Sequence, residues 1–205
     1  MKNLRFLLLF IPFASGVIIN CEFKTYTYSD IGSGYECKLN KDPSIISPNI
    51  VISSAKGTHQ ASMSHEKVTS FYSWSKAIHY IPYGLNKIFP NLFSLFIANG
   101  RIKEIHQKDL EQYPRLVYLT LYDNDITYLE KDLFKFNTEL KFISFNTNKI
   151  NQIYPTIFDH LKKLEHLHLD VNQCVDKRED DRSGVLELIK KLKIYAGSLL
   201  FLIFK

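Results

Sequence analysis

Apolar residues recur every 24 positions through the middle of the chain. One column consists of Leu92, Leu116, Leu140 and Leu164. The columns in register with it are Leu95, Leu119, Ile143 and Leu167; Ile97, Leu121, Phe145 and Leu169; Gly100, Asn124, Asn148 and Asn172; and Ile102, Ile126, Ile150 and Cys174. A fixed period of this kind predicts a solenoid of stacked units, each of which buries its hydrophobic face against the next.

Each unit has the pattern LxxLxLxxNxL, which predicts a short strand because inward and outward side chains alternate across its LxL segment. We expect consecutive strands to pair in parallel and to form the concave face of a short horseshoe. A degenerate earlier unit starts near Val68, where Phe71, Ile78 and Ile81 keep the register. Single helical turns are expected on the convex side at 131–136 and 156–161. The predicted fold class is therefore an α/β solenoid of about five repeats.

The repeated segments resemble the extracellular, cysteine-capped leucine-rich-repeat family, which includes Toll-like receptor ectodomains and many small secreted insect proteins. The resemblance is carried by NLFSLFIANGRIKEI (91–105), RLVYLTLYDNDITYL (115–129), ELKFISFNTNKINQI (139–153) and KLEHLHLDVNQC (163–174). It covers about half of the chain. It implies a curved solenoid with a role in extracellular recognition and no inherited catalytic residues.

The N-terminus has the layout of a secretory signal peptide. Lys2 and Arg5 precede an apolar run at 6–13, and the small residues 14–16 predict cleavage before Val17. We expect residues 1–16 to be removed from a secreted, extracellular protein. The apolar run is too short to span a bilayer.

Residues 17–67 are expected to form an N-terminal cap with a β-hairpin. Its strands are predicted at 24–28 and 35–39, its turn at Gly32-Ser33-Gly34, and a further strand at 50–54. In the family that these repeats resemble, a disulfide usually holds such a cap together. We therefore expect a disulfide between Cys21 and Cys37, which are close in sequence.

The repeats are expected to span 68–174, followed by a C-terminal cap at 175–205. Helical spacing of apolar residues from Val185 to Lys193 predicts a capping helix over the last repeat. The apolar run 199–204 is interpreted as a packed capping segment rather than a membrane anchor. Cys174 has no later cysteine to pair with. It is a buried thiol in the column of Ile102, or the site of an intermolecular disulfide, or the mark of a lost or shortened cap.

Outward positions on the predicted strands are rich in aromatic residues. Tyr72 is expected beside Phe96, and Tyr118 beside Phe142. Cross-strand packing alone explains such pairs, but contiguous exposed aromatic side chains more often mark a binding surface. The predicted ligand-binding residues are Tyr72, Trp74, Phe96, Tyr118, Tyr122, Phe142, His166 and His168.

His166 and His168 lie two positions apart on one strand, with Asp170 next on the same side. These residue types suit a metal ion. However, an isolated His-x-His pair on a solvated strand is more often polar surface or a pH-sensitive contact. Neither a metal site nor a cofactor is predicted. Two Ser-x-x-Lys matches, 53–56 and 73–76, lack the companion motifs of such hydrolases, so we do not expect an enzyme.

Charge narrows the choice of partner. Without Lys2 and Arg5 the formal net charge falls from +5 to +3, and no polybasic run is present, which argues against nucleic acid. A membrane partner is not expected either. The sequence therefore predicts an extracellular recognition protein, in defence or cell-surface signalling, that binds a protein or glycan on its aromatic concave face. The alternative is a structural or assembly subunit that forms a disulfide-linked dimer through Cys174 and the C-terminal segment.

Overall fold

The computed structural model describes residues 16–28, 32–41 and 43–196. The strands are β1 (Gly16–Tyr28), β2 (Gly32–Lys41), β3 (Val51–Lys56), β4 (Ser70–Trp74), β5 (Ser94–Ala98), β6 (Tyr118–Thr120), β7 (Tyr128–Leu129), β8 (Phe142–Ser144), β9 (Gln152–Ile153), β10 (His166–His168) and β11 (Arg178–Glu179). The helices are α1 (Leu85–Ile88), α2 (Gln107–Glu111) and α3 (Arg182–Ala196), and a 3₁₀ turn covers His65–Lys67.

Nine strands form one sheet in the order β11-β10-β8-β6-β5-β4-β2-β1-β3. The strands from β2 through β10 in this order pair in parallel. Leu119 lies opposite Leu95 on one side and Ile143 on the other, and Ile143 lies opposite Leu167. The 24-residue spacing is thus the register of the sheet, which confirms the predicted α/β solenoid.

The core is made of the inward columns that the sequence pattern marks. Their fully buried members are Leu95, Leu119, Ile143 and Leu167; Ile97, Leu121, Phe145 and Leu169; and Ile102, Ile126 and Ile150. On the convex side Phe134 and Phe158 stack with ring centroids 5.9 Å apart. Each repeat therefore contributes one layer to a continuous core, as stacking of otherwise incomplete units requires.

Buried asparagines connect consecutive repeats at the end of each strand. The Oδ1 atom of Asn148 accepts the Ile126 N–H at 3.0 Å, and its Nδ2 atom donates to the carbonyl of Leu121 at 2.9 Å. Asn124 and Asn172 make the equivalent bonds one repeat away. These bonds satisfy backbone groups that no strand pairing reaches.

Gly100 occupies the asparagine position of the first complete repeat. A Cβ atom at this residue would lie 2.5 Å from Oδ1 of Asn124 and 2.8 Å from the carbonyl oxygen of Ile78. Glycine therefore leaves room for the Asn124 side chain, which hydrogen-bonds to Ile97 and Ile102 of the preceding repeat.

The asparagine positions 124, 148 and 172, together with Gly100, are called the asparagine ladder. The residue before each of these four positions has a left-handed backbone conformation. The φ angles are 52° at Asn99, 51° at Asp123, 56° at Thr147 and 55° at Val171. Asn and Asp tolerate this region, whereas β-branched side chains clash with the backbone there. The turn is therefore strained in the last two repeats, where the residues are Thr147 and Val171.

We expect Val171→Asn to raise the free energy of unfolding by about 1 kcal/mol because it relieves this strain. Val171 is 59% exposed, so little packing is lost. The increase is measured by urea unfolding followed by circular dichroism. Val171→Ile, which keeps the β-branch, is the control and should not gain stability. If Val171→Asn is no more stable than the parent protein, the proposed backbone strain at Val171 is contradicted.

The N-terminal cap is an antiparallel pair of β1 and β2, extended by β3. Cys21 and Cys37 are disulfide-bonded with their Cα atoms 5.0 Å apart, as predicted. The predicted turn is wrong, because Gly32, Ser33 and Gly34 belong to β2 and pair with β1. The connection consists of residues 29–31, which lie outside the described residues. The predicted signal peptide also lies outside them, except for Gly16, the first residue of β1.

The C-terminal cap consists of β11, antiparallel to β10, and α3. Val185, Leu188, Ile189 and Leu192 of α3 are buried against the last repeat, which confirms the predicted capping helix. Cys174 is only partly buried, whereas the next residue, Val175, is fully buried and takes the inward position. The apolar run 199–204 lies outside the described residues. No described helix combines the length and the apolar character required to cross a bilayer.

Convex segments 131–136 and 155–160 form successive turns rather than the predicted helical turns. Their hydrogen bonds join residues three apart, as from the Lys135 N–H to the Asp132 carbonyl at 2.9 Å. Only the two earlier repeats contain helical turns here, α1 and α2.

Candidate functional site

Strand pairing arranges the outward side chains of the concave face in three rows. Pairing of β4, β5, β6, β8 and β10 aligns the members of the first two rows. The first row is Ser70, Ser94, Tyr118, Phe142 and His166, and the second is Tyr72, Phe96, Thr120, Ser144 and His168. The third row starts with Trp74 and Ala98, and Tyr122, Asn146 and Asp170 continue it after the strands end. Because the repeats hold these rows in register, aromatic side chains from distant parts of the sequence become neighbours.

An upstream aromatic cluster is formed by Tyr72, Trp74, Phe96 and Tyr122. The Tyr72 and Phe96 rings stack with centroids 4.5 Å apart, and the Trp74 ring lies 5.6 Å from Tyr122. Trp74 is 49% exposed, and the other three rings are partly exposed. Burial, with the negative charge of Glu36 adding to it, raises the pKa of Tyr72, so its hydroxyl remains a hydrogen-bond donor. This cluster presents apolar faces to solvent.

A downstream cluster is formed by Tyr118, Phe142, His166 and His168. The Phe142 ring stacks on Tyr118 at 4.1 Å and meets the edge of His168 at 4.8 Å. Phe142 and His168 are each only 5% exposed, so the expectation that they form an open contact surface is wrong. Their neighbours cover them, since rings one strand apart are close enough to stack. Tyr118 and His166 remain partly exposed.

Asp180, which follows β11, joins the two histidines. Its Oδ1 atom lies 2.7 Å from Nε2 of His168 and 3.8 Å from Nδ1 of His166. Arg178 contacts the other carboxylate oxygen at 3.0 Å. The hydrogen bonds from Arg178 and His168 lower the pKa of Asp180 to about 2. Burial, with the charge of Arg178 as a further cause, lowers the pKa of His168, and the hydrogen bond to Asp180 acts against this shift.

Comparison with known proteins supports the repeat architecture that carries these side chains. A family model described as leucine rich repeat matches residues 114–173. Among solved structures, the chain is similar to the Toll–Spatzle complex of Drosophila, with a TM-score of 0.50, 20% identity, and coverage of 60% of this chain and 17% of the matched chain. The chain folds as a leucine-rich-repeat solenoid. It spans less than a fifth of the length of the matched chain.

A complex of TLR13 with ssRNA13 is also similar, with a TM-score of 0.44, 22% identity, and coverage of 51% of this chain and 16% of the matched chain. No curated protein matches the sequence. The leucine-rich-repeat assignment therefore stands on the family model, the parallel register of the sheet and the likeness to the Drosophila structure.

The concave face of the leucine-rich-repeat solenoid continues into its N-terminal cap, which sequence reasoning missed. Strand β2 pairs in parallel with β4, so Glu36 and Lys38 extend the first and second rows. The Lys38 ammonium lies 5.6 Å from the centre of the Tyr72 ring. Asp180 was missed as well, because the chain reverses direction in β11 and leaves the repeat period. Only the charged character of 176–182 marked this segment in the sequence.

Small side chains separate the two aromatic clusters. Ser94, Thr120 and Ser144 are buried although they face outward, because larger rings project beyond them. The Ser70 hydroxyl donates to that of Ser94 at 3.2 Å. The exposed aromatic surface of the concave face is therefore concentrated in the upstream cluster and in Tyr118 and His166.

Neither Ser-x-x-Lys match forms a reactive pair. Ser73 is fully buried, and the Ser53 hydroxyl donates to the Val17 carbonyl at 3.2 Å. A pocket of about 460 Å³ at the side of the repeats is lined by His79, Tyr80, Arg101, Lys103, Glu104 and Asp125. Asp125 is paired with Lys149 at 2.6 Å. These six lining residues include no serine, threonine or cysteine nucleophile for a base to activate.

Proposed function

We propose that this leucine-rich-repeat solenoid is a secreted recognition protein that binds another extracellular protein on its concave face, in defence or cell-surface signalling. The observation that carries the proposal is the upstream cluster, in which Tyr72, Phe96 and Trp74 form a stacked surface with Trp74 half exposed. The solenoid core does not need these rings, because the inward columns already fill it.

Tryptophan and tyrosine on an open surface are the residue types that dominate binding energy at protein interfaces. Their rings bury a large area while fixing few rotatable bonds. Polar groups flank the aromatic surface at both ends, with Lys38 at the N-terminal cap and Asp180 at the C-terminal cap. An apolar centre with a polar rim is the usual anatomy of a protein interface.

A protein partner fits this surface better than a glycan does. The three rows extend across five parallel strands, which at the usual strand spacing is about 20 Å. This length is greater than that of a single sugar ring, and it is large enough for several side chains of a protein partner to make contact. The likeness to the Toll–Spatzle complex is compatible with a protein partner, although that pairing belongs to the matched protein.

Assembly through Cys174 is the weaker candidate. The thiol is partly buried against the core, and burial raises its pKa to about 11. A thiol that is protonated at neutral pH reacts slowly with disulfides, because the thiolate is the nucleophile.

Extracellular location is favoured by the leader-like residues 1–16 and by the Cys21–Cys37 disulfide.

The test is affinity capture from extracellular fluid with the purified protein as bait. Trp74→Ala with Tyr122→Ala should reduce recovery of the partner at least about thirtyfold, because such interface rings each contribute on the order of 2 kcal/mol. The matched control is Tyr128→Ala with Phe136→Ala. These two rings are 40% and 45% exposed but lie outside the concave rows, so recovery should be unchanged.

Equal recovery by the concave double variant and the parent would overturn the assignment of this surface. Treating the recovered partner with glycosidases separates the two ligand classes. Binding that survives the treatment supports a protein partner, and binding that is lost identifies a glycan instead.

A further inference from the structure

We propose that His166, His168 and Asp180 form a zinc-binding site at the C-terminal end of the concave face. One ligand atom from each residue is available, and the three atoms lie within 4.8 Å of one another. Ligand atoms about 2.1 Å from a tetrahedral zinc ion are about 3.4 Å apart. The observed separations of 2.7 Å and 3.8 Å from Oδ1 of Asp180 lie on either side of this value, so the side chains have to adjust their positions when the ion binds.

The backbone holds the three residues in place before any ion binds. Both histidines belong to β10 and point to the same side because they are two residues apart. Strand β10 pairs with β8 on one side and with β11 on the other. Asp180 comes directly after β11, where Arg178 pairs with His168. A site built on paired strands is more rigid than one built on loops.

The local charges permit a cation here. Arg178 donates to Oδ2 of Asp180 at 3.0 Å and more weakly to Oδ1 at 3.3 Å, and the shortest contact of Oδ1 is the one to Nε2 of His168, at 2.7 Å. Asp170 follows His168 by two residues, and its buried Oδ1 atom has no hydrogen-bond partner among the described residues. Asp170 also interacts electrostatically with His168, so its carboxylate adds negative charge beside the histidines.

The donor set selects the metal. Two imidazole nitrogens and one carboxylate oxygen are typical of zinc sites that have three protein ligands and leave a fourth position for water. Calcium and magnesium prefer six or more oxygen ligands, which this cluster does not offer. The site differs from the sequence-based expectation, in which Asp170 was the neighbour of the histidines and no metal was predicted.

Isothermal titration of the purified, metal-free protein with zinc chloride tests the site. We expect one zinc ion to bind per chain and calcium chloride to give no binding. His166→Asn and Asp180→Asn should each weaken zinc binding at least about tenfold, and both side chains are exposed enough for the fold to tolerate these changes. The matched control is His160→Asn, which removes a histidine 3.6 Å from Asp132 in the convex turns and should leave zinc binding unchanged.

Thermal unfolding gives a second readout, because zinc would join β10 to the C-terminal cap. Zinc should raise the Tm of the parent protein and of His160→Asn but not of His166→Asn. Absence of saturable zinc binding by the parent, or parental affinity in His166→Asn and Asp180→Asn, would overturn the site. No partner is present in either measurement, so the outcome is independent of the proposed recognition function.

Discussion

Replacing Leu119 with alanine is expected to lower the free energy of unfolding by about 4 kcal/mol. Leu119 is fully buried in β6, between Leu95 and Ile143 on the neighbouring strands. The substitution leaves a cavity that these neighbours cannot fill, since each is fixed in its own layer by the sheet register. Urea unfolding followed by circular dichroism measures the loss.

The adjacent residue provides the matched control for Leu119. Tyr118 points to the opposite face, where it is partly exposed and stacks on Phe142 at 4.1 Å. Tyr118→Ala should cost about 1 kcal/mol through the lost cross-strand stacking. Equal destabilisation by the two variants would contradict the assignment of alternate side chains to the core and the concave face.

Asn148→Ala is expected to lower the free energy of unfolding by about 3 kcal/mol. The side chain is 8% exposed and bonds the Ile126 N–H and the carbonyls of Leu121 and Phe145. Alanine leaves these buried backbone groups without partners, and the cost of an unmade bond exceeds the net gain of a made one. The loss is measured by the same unfolding experiment.

Asn151→Ala is the control for the asparagine ladder. Asn151 lies in the same repeat but is exposed, so its substitution should change stability by less than about 0.5 kcal/mol. A third variant, Asn148→Asp, keeps an acceptor for the Ile126 N–H but cannot donate to the two carbonyls. It should also be destabilised at neutral pH, and parental stability of either Asn148 variant would contradict the ladder.

The repeat period predicted the fold because one physical requirement sets both the sequence and the structure. A residue such as Ile143 has to be apolar in every unit, since it is buried between equivalent residues above and below. The period could not place the hairpin turn, because Gly32–Gly34 extend a strand despite their turn-forming composition. It also could not show that Val175 replaces Cys174 in the core, since the last repeat ends in an antiparallel strand.

The candidate site was predicted less completely than the fold. Alternation along each strand correctly assigned the outward residues, including Trp74 and Tyr122. It did not give their exposure, which depends on the size of neighbours on adjacent strands, and so the burial of Phe142 and His168 was missed. Asp180 reaches the histidines only through the fold of the cap, which no repeat pattern describes.

Fluorescence of Trp74 tests the proposed binding surface most directly, because Trp74 is the only tryptophan in the chain and is 49% exposed on the concave face. Acrylamide should quench its emission readily in the free protein. With the captured partner bound, we predict a blue-shifted emission and a several-fold smaller quenching constant, because the indole would be removed from water. An unchanged spectrum and unchanged quenching at saturating partner would contradict binding on the concave face.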